Sequence, residues 1–124
     1  MKLFEGLLEN ESEYEMTEDS VLIEFGAFGG LDEIHTLDMR LFEEIPTEIG
    51  RHDGHEVAVD DTHGNLFSYG ENARELFLTM RPILNDFDFF DGATVHLTFR
   101  KEDKTFSEID FEFHVGTNEL RNNE

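Results

Sequence analysis

The chain has 124 residues, the size of one ordinary domain, and no cysteine, which excludes disulfides, thiolate metal ligands and a cysteine nucleophile. Its 30 Asp and Glu stand against 9 Lys and Arg, a formal net charge of −21, so its surface repels nucleic acid and anionic lipid and attracts basic protein surfaces instead. No apolar run approaches the roughly 20 residues that cross a bilayer, and MKLFEGLLENESEYE carries acids where a signal peptide needs an apolar stretch, which predicts a cytoplasmic protein without membrane contact.

Residues 1–20 read as an acidic arm. Leu3, Phe4, Leu7 and Leu8 recur at helical spacing and predict a short helix, and the polar, charged stretch after them predicts a linker. A single domain is expected over 21–116 and a disordered tail over 117–124. VLIEFGAF, closed by Gly29 and Gly30, is rich in β-branched and aromatic residues and predicts the first strand. The GAFGG segment lacks both the GxGxxG and the GxxxxGK pattern, so it gives no phosphate cradle. Ile34, Leu37, Leu41 and Ile45 step by three or four and predict a helix over 34–45, limited by Pro46.

DGHEVAVD, with Val57 and Val59 on one face, and NLFSYG, with Leu66, Phe67 and Tyr69, predict a hairpin around the DTHGN turn, its DG and HG pairs acting as turn punctuation. ENARELFLTMRPIL places Ala73, Leu76, Phe77, Met80, Ile83 and Leu84 on one stripe and predicts the second helix, ended or kinked by Pro82. ATVHLTFR and EIDFEFHV alternate cleanly and predict two strands joined at KEDK. The order β, α, β, β, α, β with one further strand predicts an α+β, ferredoxin-like split βαβ fold. Its antiparallel sheet has two helices on one face and Thr94, His96, Thr98, Asp110, Glu112 and His114 on the other.

Three histidines, His52, His55 and His63, lie among Asp53, Glu56, Asp60 and Asp61 and have the residue types of an N/O metal site. Their spacing matches no ligand motif, and turn and exposed strand positions are the commoner account of such a cluster, with metal binding the minority reading. Ser20, Ser68 and Ser107 lack a nucleophile elbow, and carboxylates are too abundant for any pair to single itself out. His96 and His114 share an outward parity on adjacent predicted strands, where they read as neighbours or, the commoner case, as exposed cross-strand polar residues. Phe87, Phe89 and Phe90 in NDFDFFDG cap a core beneath a loop or anchor a partner, and the cap is the commoner use.

The stretch from Gly50 to Leu84 resembles a group of small bacterial domains with a G-x-x-DG-x-E hairpin entry, a strand ending in YG, and a helix with A-x-x-LF and a P-x-L ending. The matching residues are Gly50, Asp53, Gly54, Glu56, Tyr69, Gly70, Ala73, Leu76, Phe77, Pro82 and Leu84. They are turn formers and core positions, so the resemblance implies a fold and no catalytic role. In size and charge the whole chain also resembles the acidic single-domain immunity proteins encoded beside bacterial toxins, including those of contact-dependent inhibition.

That second resemblance implies a non-enzymatic protein, without cofactor, that neutralises a basic toxin domain such as a nuclease. The expected contacts are Glu11, Glu13, Glu15, Glu18 and Asp19 in the arm, Asp53, Asp60 and Asp61 around the hairpin, and Asp86 and Asp88 beside Phe89. Two alternatives are a metal-binding module or metal-dependent enzyme built on His52, His55 and His63, and an acidic mimic of nucleic acid.

Overall fold

A computed structural model describes residues 18–101 and 105–116. In chain order it contains β1 (Asp19–Phe25), α1 (Leu31–Glu44), β2 (Gly50–Val57), β3 (Gly64–Gly70), α2 (Ala73–Leu84), a 3-10 turn (Asp88–Phe90), β4 (Ala93–Arg100) and β5 (Phe106–Phe113). The acidic residues Glu11, Glu13 and Glu15, the N-terminal helix and the tail expected over 117–124 lie outside the described residues.

The strands form one five-stranded sheet in the order β2-β3-β1-β4-β5, with every neighbouring pair antiparallel. The fold is therefore α+β with an antiparallel sheet. Each helix joins two strands that run the same way with one strand between them: α1 carries the chain from β1 to β2, and α2 from β3 to β4.

Register fixes which side chains share a face. His52, Ser68, Val21, Leu97 and Ile109 form one row across all five strands, and Leu66, Ile23, Val95 and Phe111 form part of the next. These rows face the helices. Val21, Ile23, Leu66, Val95 and Leu97 are buried against Ile34, Leu37 and Leu41 of α1 and Leu76, Phe77, Met80 and Leu84 of α2. The ring of Phe77 meets Phe111 and Phe113 edge-on at 5.3 and 5.9 Å, which seats α2 over β4 and β5.

Helix α1 starts at Leu31, earlier than its apolar spacing indicates, because Glu33 in the first turn accepts from the Gly29 N–H at 2.9 Å and satisfies a donor just ahead of the helix. Helix α2 runs two residues past Pro82 to Leu84. Proline there removes only one bond to the preceding turn, and the buried Ile83 and Leu84 hold the last turn in place.

The hairpin also departs from expectation. Asp53-Gly54 is a β-bulge inside β2 rather than a turn, with Gly54 at φ 141° and the register slipping between His52 and Gly54. The slip turns both His52 and His55 toward the helices. Val59 does not share a face with Val57: β2 ends at Val57, and Val59 sits fully exposed in the connection.

The YG and G-x-x-DG residues acquire a steric reason. Gly50 and Gly70 are paired across β2 and β3. A Cβ on Gly50 would stand 2.5 Å from the Tyr69 carbonyl oxygen, and one on Gly70 would strike the Ile49 carbonyl. Two backbones thus pass in contact where the second hairpin strand hands over to α2.

Asp19 is 7% exposed, which removes it from any solvent-facing arm. Its Oδ2 accepts from the Ala73 N–H at 2.9 Å and its Oδ1 from the Arg100 N–H at 2.8 Å. One carboxylate thereby ties the start of β1 to the N-terminus of α2 and the end of β4, and its charge sits at the positive end of the helix. Asn72 caps the same helix by accepting from the Glu75 N–H at 2.9 Å. We expect Asp19→Ala, which strands two backbone donors, to cost about 2–4 kcal/mol in urea denaturation. A cost comparable to that of a surface carboxylate would show that these bonds are weak.

Candidate functional site

The face of the sheet opposite the helices is built from the other parity of each strand. Its rows read Glu56, Asn65, Glu24, Thr94 and Glu112; then Phe67, Leu22, His96 and Asp110; then Arg51, Tyr69, Ser20, Thr98 and Glu108. Leu22, Phe67 and Tyr69 are half-buried in the middle of the sheet, and Glu24, Glu56, Glu108, Asp110 and Glu112 stand exposed around them. Counter-charge on this face comes from Arg51, which pairs with Glu18 at 2.7 Å and lies over the Tyr69 ring at 5.2 Å, and from Arg100 in the next row, which lies over the Phe106 ring at 5.1 Å. An apolar strip inside a carboxylate frame is the composition of a protein-docking surface.

His96 lies in this face with carboxylates around it. Its Nδ1 is 2.7 Å from Asp110 Oδ1 and 3.7 Å from Glu108 Oε2, and its Nε2 is 3.6 Å from Glu24 Oε1. Partial burial opposes the charged imidazole, but the hydrogen bond and charge of Asp110, with those of Glu24, outweigh it and raise the pKa above the ordinary value. Among the described residues, His96, Glu108 and Asp110 are the trio of histidine and carboxylates whose donor atoms all lie within 4.8 Å of one another. Such a donor set suits a proton on the imidazole or a divalent cation in its place. His114 is not the neighbour of His96: it falls just beyond β5, within 3.6 Å of Asp91 and 3.7 Å of Glu112.

The histidines of the hairpin separate. His52 and His55 converge on Asp38 of α1, with His52 Nε2 2.7 Å from Oδ1 and His55 Nδ1 2.5 Å from Oδ2. His63 instead lies in the turn, beside the Thr62 hydroxyl at 3.0 Å. His52 Nδ1 is also 3.1 Å from the Ser68 hydroxyl. A neutral His52 that donates from Nε2 to Asp38 and accepts from Ser68 at Nδ1 satisfies all three groups. Burial lowers the His52 pKa, more strongly than the neighbouring Asp38 carboxylate raises it, and so favours that neutral form.

Ser68, His52 and Asp38 have the residue types of an acyl-transfer triad, but the Ser68 residue and the His52 side chain are both 0% exposed. Among the described residues, surface hollows of about 530 and 370 Å³ are lined from Glu18, Thr47 to Arg51, Gly70 and Glu71, and from Glu56 to Ala58, His63 and Asn65. Neither is lined by Ser68 or His52. The buried relay therefore locks β2 and β3 to α1, with the Phe42 ring edge-on to His52 at 4.9 Å.

The other expected contacts do not form one patch. Asp60 and Asp61 occupy the hairpin tip; Asp60 accepts from the Thr62 hydroxyl at 2.6 Å, which lowers its pKa, and the Asp61 carbonyl accepts from the Phe28 N–H at 3.2 Å. Asp88 stands exposed at the start of the 3-10 turn. Asp53 is exposed in the bulge, Asp86 pairs with Arg40 at 2.7 Å, and Glu18 lies beside Arg51. Phe89 is half-buried within a cluster of Phe25, Phe28, Phe87 and Phe90, with ring centroids 4.5–6.2 Å apart, which is the core-capping arrangement. Sequence reasoning passed over Glu24, Glu108 and Asp38 and read Glu56 only with the histidine cluster and the hairpin entry; Glu24, Glu56 and Glu108 share the parity of the outer-face residues, whereas nothing local marks Asp38.

No protein-family model matches the chain, and no characterised protein or solved structure shows significant similarity to it. The functional argument therefore rests on the surface itself.

The two buried or clasped imidazoles make opposite pH contributions. The lowered His52 pKa supports folding above the ordinary histidine value of 6.5 and loses that support as pH falls and the unfolded chain takes up the proton. The raised His96 pKa supports folding below 6.5 and loses it as pH rises through the folded-state value. In thermal melts from about pH 5 to pH 9, His52→Gln should flatten the acidic limb and His96→Gln the alkaline limb. The reverse assignment, or no change in either limb, would contradict these environments.

Proposed function

We propose that this is a non-enzymatic, cytoplasmic inhibitor of the immunity-protein kind, which binds a basic toxin domain, most plausibly a nuclease, through the acidic outer face of its sheet. The observation that carries this reading is the arrangement of Glu24, Glu56, Glu108, Asp110 and Glu112 around Leu22, Phe67 and Tyr69 on a sheet face that no described helix covers. Carboxylates in that frame would take the places of phosphates in a cationic groove, and the apolar strip would supply desolvated contacts. The high negative charge adds long-range steering, worth roughly 10 to 10³ in association rate.

The hairpin-tip carboxylates Asp60 and Asp61 and the bulge residue Asp53 lie outside this frame and add to the field alone. The strand order fits the same proposal at the level of fold: β1 lies between β3 and β4 with β2 outside β3, the order of a split βαβ, ferredoxin-like sheet extended by β5.

The decisive experiment is a kinetic binding measurement with the purified product of the adjacent gene. We expect a stoichiometric complex whose association rate falls about tenfold or more when Glu24, Glu56 and Asp110 are together changed to Lys, and also on raising the salt. No complex, or a complex indifferent to both changes, would sink the proposal.

A further inference from the structure

The two edges of the sheet are treated differently. At one edge, β2 carries the Asp53-Gly54 bulge, and its His52 and His55 are tied to α1 through Asp38. Bulges and covering elements are ordinary ways of keeping another strand off a sheet edge. At the other edge, β5 pairs with β4 through eight consecutive residues, Phe106 to Phe113, without a register slip. The segment FSEIDFEF contains no proline, glycine or lysine and no bulge, so what guards this edge is its own charge.

From Glu108 to Phe113, β5 divides its side chains by chemistry, whereas Phe106 at its start puts an exposed aromatic ring on the outer face, with Arg100 over it at 5.1 Å. Glu108, Asp110 and Glu112 project on the outer face, and Ile109, Phe111 and Phe113 on the helix side. Ile109 is 47% exposed, which is expensive for an isoleucine on a face meant to be covered. A strand laid against β5 would set its own side chains beside these. The favourable neighbours are lysine or arginine on the outer face and aliphatic residues on the helix side.

We propose that the basic partner is bound by strand addition at β5, through a partner segment that alternates cationic and apolar residues. The inference rests on the reading of the protein as a receptor for a basic partner and specifies how that partner is held. Main-chain hydrogen bonds to the β5 edge would supply affinity, and the alternating pockets would supply specificity.

Two other occupants are disfavoured by charge. When two copies pair antiparallel through β5 with like faces aligned, carboxylate meets carboxylate: Asp110 opposes Asp110 and Glu108 opposes Glu112, or the same acids meet one step along. The chain's own N-terminal stretch carries Glu5, Glu9, Glu11, Glu13 and Glu15 against Lys2. Like charges placed opposite one another on a sheet destabilise the pairing. The acids of β5 therefore act as a filter that leaves the edge open to a cationic strand and closed to copies of itself.

The test uses the full chain and three synthetic peptides: a Lys-Val repeat, the same repeat with alternate backbone nitrogens methylated, and a Glu-Val repeat. Binding is followed by NMR at low ionic strength. We expect the Lys-Val repeat to shift and protect the amides of residues 106–113, the methylated copy to bind about tenfold or more weakly, and the Glu-Val repeat not to bind. Glu108→Lys with Glu112→Lys should weaken the Lys-Val repeat by a similar factor while the remaining amide spectrum stays that of the folded chain. Equal affinity for the methylated and unmethylated repeats, with shifts centred on Glu24 and Glu56, would overturn strand addition and leave acidic-face docking standing. Binding of neither cationic peptide would overturn both, and β5 protection in a peptide-free dimer would show that the occupant is a second copy.

Discussion

A strand sends successive side chains to opposite faces of its sheet, and in this protein both helices lie over the same face. That one geometric constraint sorts most of the chain. Residues of one parity, from Val21 and Ile23 on the central strand to Val95 and Leu97 beside it, must be apolar because α1 and α2 seal them from water. Residues of the other parity remain in contact with solvent, and a strongly acidic sequence can place charge there without burying it. The outer face is thus where carboxylates are cheapest to hold, since solvent and salt screen their mutual repulsion there.

The polar groups that do enter the interior are connectors. Asp19 joins β1 to the start of α2 and the end of β4 through two backbone N–H groups, and the Ser68, His52 and Asp38 chain joins β3 and β2 to α1. Buried polar groups of this kind are tolerable only when their partners are in place, so they make the arrangement specific as well as stable. The histidine environments follow from the same sorting by face. His52 faces the helices and is pushed toward neutrality by burial, while His96 faces the carboxylate frame and is pushed toward the charged form.

A functional consequence is that the surface has a direction. The half-buried Leu22, Phe67 and Tyr69 lie over β1 and β3, the carboxylates ring them, and the frame runs outward to β5, the edge without a bulge. A cationic protein drawn in by the long-range field would meet the acids first and then either the apolar strip or the open edge. The hairpin tip and the 3-10 turn carry their own acids at the end of the sheet marked by the Phe25, Phe28, Phe89 and Phe90 cluster, where they extend the field without belonging to the frame.

The periodicities were enough to read the elements and most of the core. Ile34, Leu37 and Leu41, the stripe from Ala73 to Leu84, and the alternation of Val95, Leu97, Ile109 and Phe111 each state a local rule that the fold obeys. Local rules did not reveal the bulge, because Asp-Gly satisfies a turn and a bulge equally well. They therefore misplaced His52 and His55, whose orientation depends on a one-residue slip. Nor could they find Asp38, which meets those histidines only because α1 packs on β2, or remove Asp19 from the surface arm, because its two partners are 54 and 81 residues away. By itself the sequence determined element types, the single apolar face of each, and an excess of carboxylates. Which acids share a surface, which are consumed inside, and which edge strand is free of a bulge were settled by strand order and register, since these bring together residues that no spacing along the chain relates.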